Sequence, residues 1–202
     1  MQSKDLTGIH IEGHIKIWDP ESKKVFINKR NAIHYENMSI ALAQSIADSG
    51  QGFIYEMAFG NGGTTVDPTG IITYLSPNST GANAGVYSET YTKVVDDQAS
   101  TNTDPTRNYI ETRHVTGTNY TDVFVTCLLD YGEPSDQQAF DNTTNNDSSY
   151  VFDELGLKSY SSTGNSLLLT HVIFHPVQKS LNRLIQIDYT VRIQTLPGLA
   201  GV

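Results

Sequence analysis

The feature that most constrains this chain is a series of short segments in which apolar and polar residues alternate. Along GIHIEGHIKIW, the isoleucines from Ile9 to Ile17 fall on one face of an extended chain, and histidine, glutamate and lysine fall on the other. Asp19 and Pro20 then supply a turn, and KKVFINKR can return as the antiparallel partner. Residues 9–30 are therefore predicted to form an N-terminal β-hairpin.

Most of the remaining chain has the same strand character. The extended segments are FIYEMAF, IITYLSP, VYSETYTKVVDD, RNYIETRHVTG, YTDVFVTCLLDY, SLLLTHVIFHPV and RLIQIDYTVRIQTL. Only residues 36–48 have apolar residues at helical spacing, and Ser49 and Gly50 end that run. Residues 1–202 are predicted to form a single, mainly β domain with one short α-helix. Its predicted architecture is a β-sandwich or a barrel-like, jelly-roll-type fold.

Composition limits the classes of partner. The chain has 202 residues with 22 acidic and 13 basic side chains, a net charge of −9, which disfavours binding to nucleic-acid phosphates. Its apolar runs are far shorter than a membrane-spanning helix, and its first residues have no hydrophobic signal region, so we expect no membrane association. Cys127 is the only cysteine, and its apolar setting predicts a buried side chain.

The run AFGNGGTT raises the question of a phosphate-binding loop. Such a loop needs a helix after it, but Pro68 and Gly70 interrupt any helix here, and no lysine lies near Gly63. The run is therefore predicted to be a loop between two strands.

Two histidine pairs have the residue type of metal ligands but not the spacing. His10 and His14, like His171 and His175, are four residues apart on predicted strands. That spacing separates their Cα atoms by about 13 Å, which is too far to share one zinc ion. They are interpreted as polar residues on a half-exposed or subunit-contacting sheet face.

The acidic loop DNTTNNDSSYVFDE has the carboxylate and amide side chains of a calcium loop. The EF-hand pattern fails because Asn146 stands where glycine is needed and Phe152 where glutamate is needed. Two interpretations stay open: an irregular calcium site using Asp141, Asp147 or Asp153, and a solvated loop whose side chains cap its own turns. No cofactor is predicted.

Catalytic signatures are missing from the sequence. There is no G-x-S-x-G elbow to nominate a nucleophile, and the pair Asp153–Glu154 is interpreted as two ordinary neighbouring acids in a polar stretch. The chain is predicted not to be an enzyme.

The phrase MAFGNGGTTVDPTGIITYL, with the later FDELGL and LLLTHVIFHPVQKSLNRLIQIDYTVRIQT, resembles virion structural proteins of tailed bacteriophages. The phrase is similar to an "hAhGxGxTxPTxxxTxL" pattern of phage tail, neck and collar proteins, where h is apolar. The resemblance implies a β-rich subunit that forms a ring or trimer at the neck, collar, head-to-tail or tail region. It implies a virion location after assembly in the host cytoplasm, and other virion proteins as partners.

Basic residues are concentrated in the hairpin, which makes it a candidate docking arm toward acidic loops of an adjacent copy. The subunit-contact candidates are Lys23, Lys24, Lys29 and Arg30 on the basic side, and Asp141, Asp147 and Asp153 on the acidic side. The acidic stretch from Asp96 to Asp104 is a second acidic candidate. If the subunit lines the path of packaged DNA, its negative charge would repel the phosphate backbone.

Two alternatives remain at this stage. One is a capsid decoration protein, and the other is a glycan-binding or adhesin β-sandwich module. For the second, a platform of aromatic side chains would be needed, and the candidates are Tyr87, Tyr91, Tyr109, Tyr120 and Tyr160.

Overall fold

The computed structural model describes residues 8–81, 84–134 and 149–196. It contains one α-helix, α1 (Tyr35–Ile46), and eleven strands in this part of the chain. The strands are β1 (Gly8–Trp18), β2 (Val25–Ile33), β3 (Ile54–Gly60), β4 (Thr64–Val66), β5 (Ile72–Tyr74), β6 (Glu89–Val94), β7 (Tyr109–His114), β8 (Tyr120–Leu129), β9 (Ser149–Ser159), β10 (Thr170–Ser180) and β11 (Ile185–Leu196).

Nine strands form one antiparallel sheet in the order β6-β3-β9-β10-β2-β1-β11-β8-β7, and β4 and β5 pair only with each other. The sheet curls into a half-barrel. The two edge strands β6 and β7 are consecutive in sequence. The curl brings β6 near β8, the neighbour of β7, because Lys93 on β6 donates to the Leu128 carbonyl on β8 at 2.7 Å. The predicted mainly β, sandwich-like or barrel-like fold is confirmed.

The N-terminal hairpin is confirmed as β1 and β2, which pair from Gly13↔Asn31 to Trp18↔Val25. Its alternation decides which face is buried: Ile15 and Ile17 are fully buried, whereas His10 and His14 are exposed. The hydrophobic effect thus selects the register of β1, because a shift by one residue would expose its isoleucines.

The core lies inside the curl and draws on both halves of the sheet. Its centre is a group of aromatic rings in which Phe152 of β9 contacts Phe59 at 5.4 Å, Phe174 at 5.7 Å and Tyr150 at 5.5 Å between ring centroids. Cys127 lies in the same core and is buried, as predicted.

The helix is confirmed within two residues of its predicted ends. His34 caps its N-terminus by accepting a hydrogen bond from the Asn37 amide at 3.2 Å, and Asp48, with φ of 49°, follows its C-terminal turn. Met38 and Ala41 pack with Ile33 in a small second core.

The sequence patterns did not predict strand β9. β9 lies between β3 and β10 in the sheet, but its sequence SYVFDELGLKS does not alternate, because most of its side chains are buried on both faces. The period-two pattern marks half-buried strands and is lost where both faces are covered.

Candidate functional site: the glycine loop and its hairpin

The glycine-rich run packs on β9, and its backbone amides donate hydrogen bonds to carboxylates of the same chain. β3 ends at Gly60, and the Gly62 amide donates to Glu154 Oε1 at 3.0 Å. The amides of Gly63 and Thr64 donate to the two oxygens of Asp153, each at 2.9 Å. The Thr64 hydroxyl also donates to Asp153. The loop therefore has the anion-binding geometry of exposed amides, but an internal pair of acids occupies it.

Glu154 is the centre of this network and is fully buried. Besides Gly62, it accepts hydrogen bonds from the amides of Tyr87 and Ser88, each at 2.8 Å, and from His171 Nε2 at 3.0 Å. Burial by itself would raise the pKa of Glu154, but the hydrogen bonds from His171 and these amides outweigh burial and hold that pKa below its ordinary value.

His171 has a defined tautomer. Its Nδ1 accepts a hydrogen bond from the Asn78 amide at 2.8 Å, and its Nε2 faces Glu154, so the imidazole is neutral with the proton on Nε2. The ring of Tyr87 lies against it at 5.6 Å between centroids. The interpretation of His171 as a half-exposed polar residue was wrong, because the segment that carries Asn78 and Tyr87 covers it.

Glycine is required where the loop approaches its neighbours. A Cβ at Gly60 would lie 2.4 Å from the Ser88 carbonyl oxygen and 2.5 Å from Glu154 Oε1. A Cβ at Gly63 would lie 2.9 Å from a methyl carbon of Ile173. The glycines thus serve close packing of the backbone on β9.

The loop continues into a hairpin formed by β4 and β5. At its tip, Asp67 Oδ1 accepts hydrogen bonds from the amides of Thr69 at 2.8 Å and Ile71 at 3.0 Å. Several apolar side chains of the hairpin are exposed, including Val66 at 62% and Ile71 at 63%. Tyr74 and Leu75 are also exposed, and the Tyr74 hydroxyl contacts His175 Nδ1 at 3.2 Å.

The role that this network can perform is to anchor the glycine loop to β9. Every oxygen of the two carboxylates is hydrogen-bonded within the chain, which leaves no free base or ligand in the network. Within residues 8–81, 84–134 and 149–196, no group of three or more His, Cys, Asp or Glu side chains is placed to hold a metal ion.

The basic subunit-contact candidates of the hairpin β1–β2 contact different groups within the chain. The ammonium of Lys23 lies 5.2 Å from the Trp18 ring centroid, and that of Lys24 lies 5.4 Å from the Phe26 ring. Lys29 donates to the carbonyl of Ile173 on β10 at 2.8 Å. Arg30, in contrast, lies 3.6 Å from Glu12 on the outer face.

Of the acidic subunit-contact candidates Asp141, Asp147 and Asp153, only Asp153 lies in the described residues. Asp153 is 4% exposed and holds the glycine loop, so its carboxylate is engaged within its own chain and is not presented to a neighbour. Asp141 and Asp147 lie outside the described residues. The interpretation of Asp153–Glu154 as two ordinary acids in a polar stretch was wrong, because β9 buries both side chains.

The five candidate tyrosines do not form one platform. In the described part of the chain, no two of their rings are in contact. Tyr160 stacks on Phe53, Tyr91 lies against Phe59, and Tyr120 lies against Arg192.

Comparison with protein-family models, curated proteins and solved structures finds no match to this chain. The helix in the described residues is too short and too polar to cross a membrane.

Proposed function

We propose that this protein is a structural subunit of a tailed-phage virion, which assembles with copies of itself into a ring or trimer at the neck, collar, head-to-tail or tail region. The observation that carries the proposal is the hairpin β4–β5, which holds apolar side chains in solvent while its base is fixed to β9. This hairpin and its glycine loop are formed by the phrase MAFGNGGTTVDPTGIITYL.

An anchored apolar hairpin fits an assembly role. Strands of three residues that pair only with each other are too short to be stable alone, so the hairpin depends on Asp153 and Glu154 for its position. Several exposed apolar side chains on one hairpin are typical of a surface that another protein covers. The proposed role is structural and not catalytic.

A second apolar surface lies beside the helix. A groove of about 580 Å³ runs between α1 and the first residues of β1, and Ile9, Tyr35 and Ile46 on its walls are exposed. Head-to-tail rings need two different surfaces on each subunit. The hairpin and the groove supply two such surfaces.

The mass and shape of the purified protein in solution test the proposal. Light scattering and negative-stain images should show a uniform ring or trimer. The double variant Val66→Ser/Ile71→Ser should lose this assembly and keep its urea-unfolding midpoint. Val115→Ser is the matched control, because Val115 is equally exposed but lies in the turn between β7 and β8.

A monomeric wild-type protein, or a hairpin double variant that assembles as the wild type does, would contradict self-assembly through this hairpin. The virion location has its own test. Gold-labelled antibodies against the chain should mark the neck, collar or tail of particles in electron micrographs, and particles without label would contradict that location.

A further inference from the structure

The sheet contains an internal gap between β2 and β10, here named the seam. The ladder between these strands has only the pairs Thr170↔Ile33 and His171↔Ala32. From Val25 to Asn31, β2 pairs with β1 alone, and from Val172 onward β10 pairs with β9 alone. Both strands therefore present an unpaired edge in the middle of the sheet.

Side chains rather than ladder bonds span the seam. At its narrow end, Lys29 donates to the Ile173 carbonyl, beside an irregularity in the β9–β10 ladder between Ile173 and Val177. Beyond it lies a groove of about 220 Å³. The groove is lined by Lys24, Val25, Phe26, Ile27, His175, Pro176, Val177, Gln178 and Arg183.

The groove is basic. The charged groups of Lys24 and Arg183 lie over the ring of Phe26, at 5.4 Å and 5.5 Å from its centroid. The acidic side chain that faces them is Asp19, 4.0 Å from Arg183. In a chain with 22 acidic and 13 basic residues, this is a local excess of positive charge.

The loop between the two edge strands carries acidic side chains. Residues 95–108 join the edge strands β6 and β7, whereas the seam lies near the centre of the strand order. Asp96 and Asp97 open this loop, and Asp97 contacts the Ile110 amide of β7 at 3.4 Å. The loop and the seam are thus two separate surfaces of the same molecule.

We propose that the seam binds the acidic loop 95–108 of a second copy of this chain. The inference rests on the proposed self-assembly and assigns one of its contacts. Opposite charges on two separate surfaces of one chain favour head-to-tail contacts, which close into a ring when the rotation between subunits allows it. The unpaired edges of β2 and β10 offer main-chain hydrogen bonds to the incoming loop.

A charge exchange tests this contact. One variant carries Lys24→Glu and Arg183→Glu in the seam, and a second carries Asp96→Lys and Asp97→Lys in the loop. We expect each alone to assemble at least about tenfold more weakly than the wild type in sedimentation velocity at low salt. A variant that carries all four changes should recover assembly, because each reversed seam then meets a reversed loop. Arg113→Glu on β7 is the control and should have no effect.

The outcomes separate this inference from the proposed function. If the wild type assembles and both reversed variants assemble equally well, the seam contact is wrong and self-assembly stands. Weak assembly of each variant without recovery in the variant with all four changes also contradicts the pairing of these two surfaces. A wild type that is monomeric at about 1 mM, the range of the weakest specific contacts, contradicts both proposals.

Discussion

Glu154 on β9 and His171 on β10 face each other at 3.0 Å between Oε2 and Nε2, and both side chains are fully buried. The strands that carry them are neighbours in the sheet, and the pair fastens the segment after β5 through Asn78, Tyr87 and Ser88. Buried charge is tolerated at Glu154 because each oxygen has hydrogen-bond donors. This relationship leads to predictions about stability.

The variant Glu154→Gln should reduce the free energy of unfolding by about 2–4 kcal/mol. The amide NH2 group would place donors against the backbone N–H groups of Gly62, Tyr87 or Ser88, which now point at a carboxylate. Urea denaturation followed by circular dichroism measures the change. Glu111→Gln on the exposed edge strand β7 is the matched control and should stay within about 0.5 kcal/mol of the wild type.

The pH dependence of stability should contain a contribution from Glu154. Its pKa is lower in the folded protein than the ordinary value of 4.5, so the folded carboxylate holds its proton less tightly than the unfolded one. The contribution is complete above pH 4.5 and is lost as the pH falls through the folded pKa. Stability measured between pH 6 and pH 3, about the range where glutamate titrates, should fall less steeply in Glu154→Gln. Parallel curves would contradict this assignment.

The variant Lys179→Met should stabilise the protein near neutral pH. Lys179 is 1% exposed, its Nζ donates to the Ser180 carbonyl at 2.8 Å, and burial lowers its pKa to about 8. Between pH 8 and 10.5 the unfolded lysine binds more protons than the folded one, so wild-type stability should rise with pH. The variant should lack this rise and gain up to about 3 kcal/mol at pH 7. A loss of stability at pH 7 would contradict the prediction.

The variant Gly60→Ala should destabilise the fold by at least about 2 kcal/mol, because the added methyl group would meet the Ser88 carbonyl oxygen and Glu154. Gly85→Ala is the matched control, since a Cβ there has nothing within 4 Å. The melting temperatures of the two variants separate the effect of a steric clash at Gly60 from the general effect of replacing a glycine. Equal melting temperatures would show that the loop can shift away from β9.

The thiol of Cys127 should resist chemical modification in the folded protein. The side chain is fully buried, and burial raises its pKa to about 12. Reaction with a thiol reagent such as DTNB at pH 8, about the pH at which an exposed cysteine begins to ionise, should be slow until denaturant is added. Fast labelling of the native protein would place Cys127 in a region that opens readily.

The long polar loops illustrate a limit of prediction from composition. The segments 76–85 and 96–108 contain few large apolar residues, so their composition gives no apolar pattern from which a fixed conformation could be predicted. In the described part of both, hydrogen bonds hold the backbone: Asn78 is fixed by His171, and Asn102 donates to the carbonyls of Asp96 and Asn108 at 3.1 Å and 2.8 Å. Polar loops can be ordered by specific hydrogen bonds that composition does not show.

The sequence by itself determined the mainly β class, the N-terminal hairpin, the helix α1 and the burial of Cys127. Each follows from a local pattern: alternation along β1, helical spacing before Ala47, and an apolar setting around Cys127. Such patterns indicate which side chains are buried, because the hydrophobic effect removes apolar side chains from water regardless of where their strand or helix lies in the fold.

Only the tertiary structure decided the role of the glycine loop. Gly62 and Glu154 are 92 residues apart, and nothing in their spacing predicts that an amide of one would meet the carboxylate of the other. β9 was missed because burial on both faces removes alternation, and its acids looked ordinary because their partners lie on other strands. A buried carboxylate depends on donors that converge in space, and convergence is a property of the folded chain.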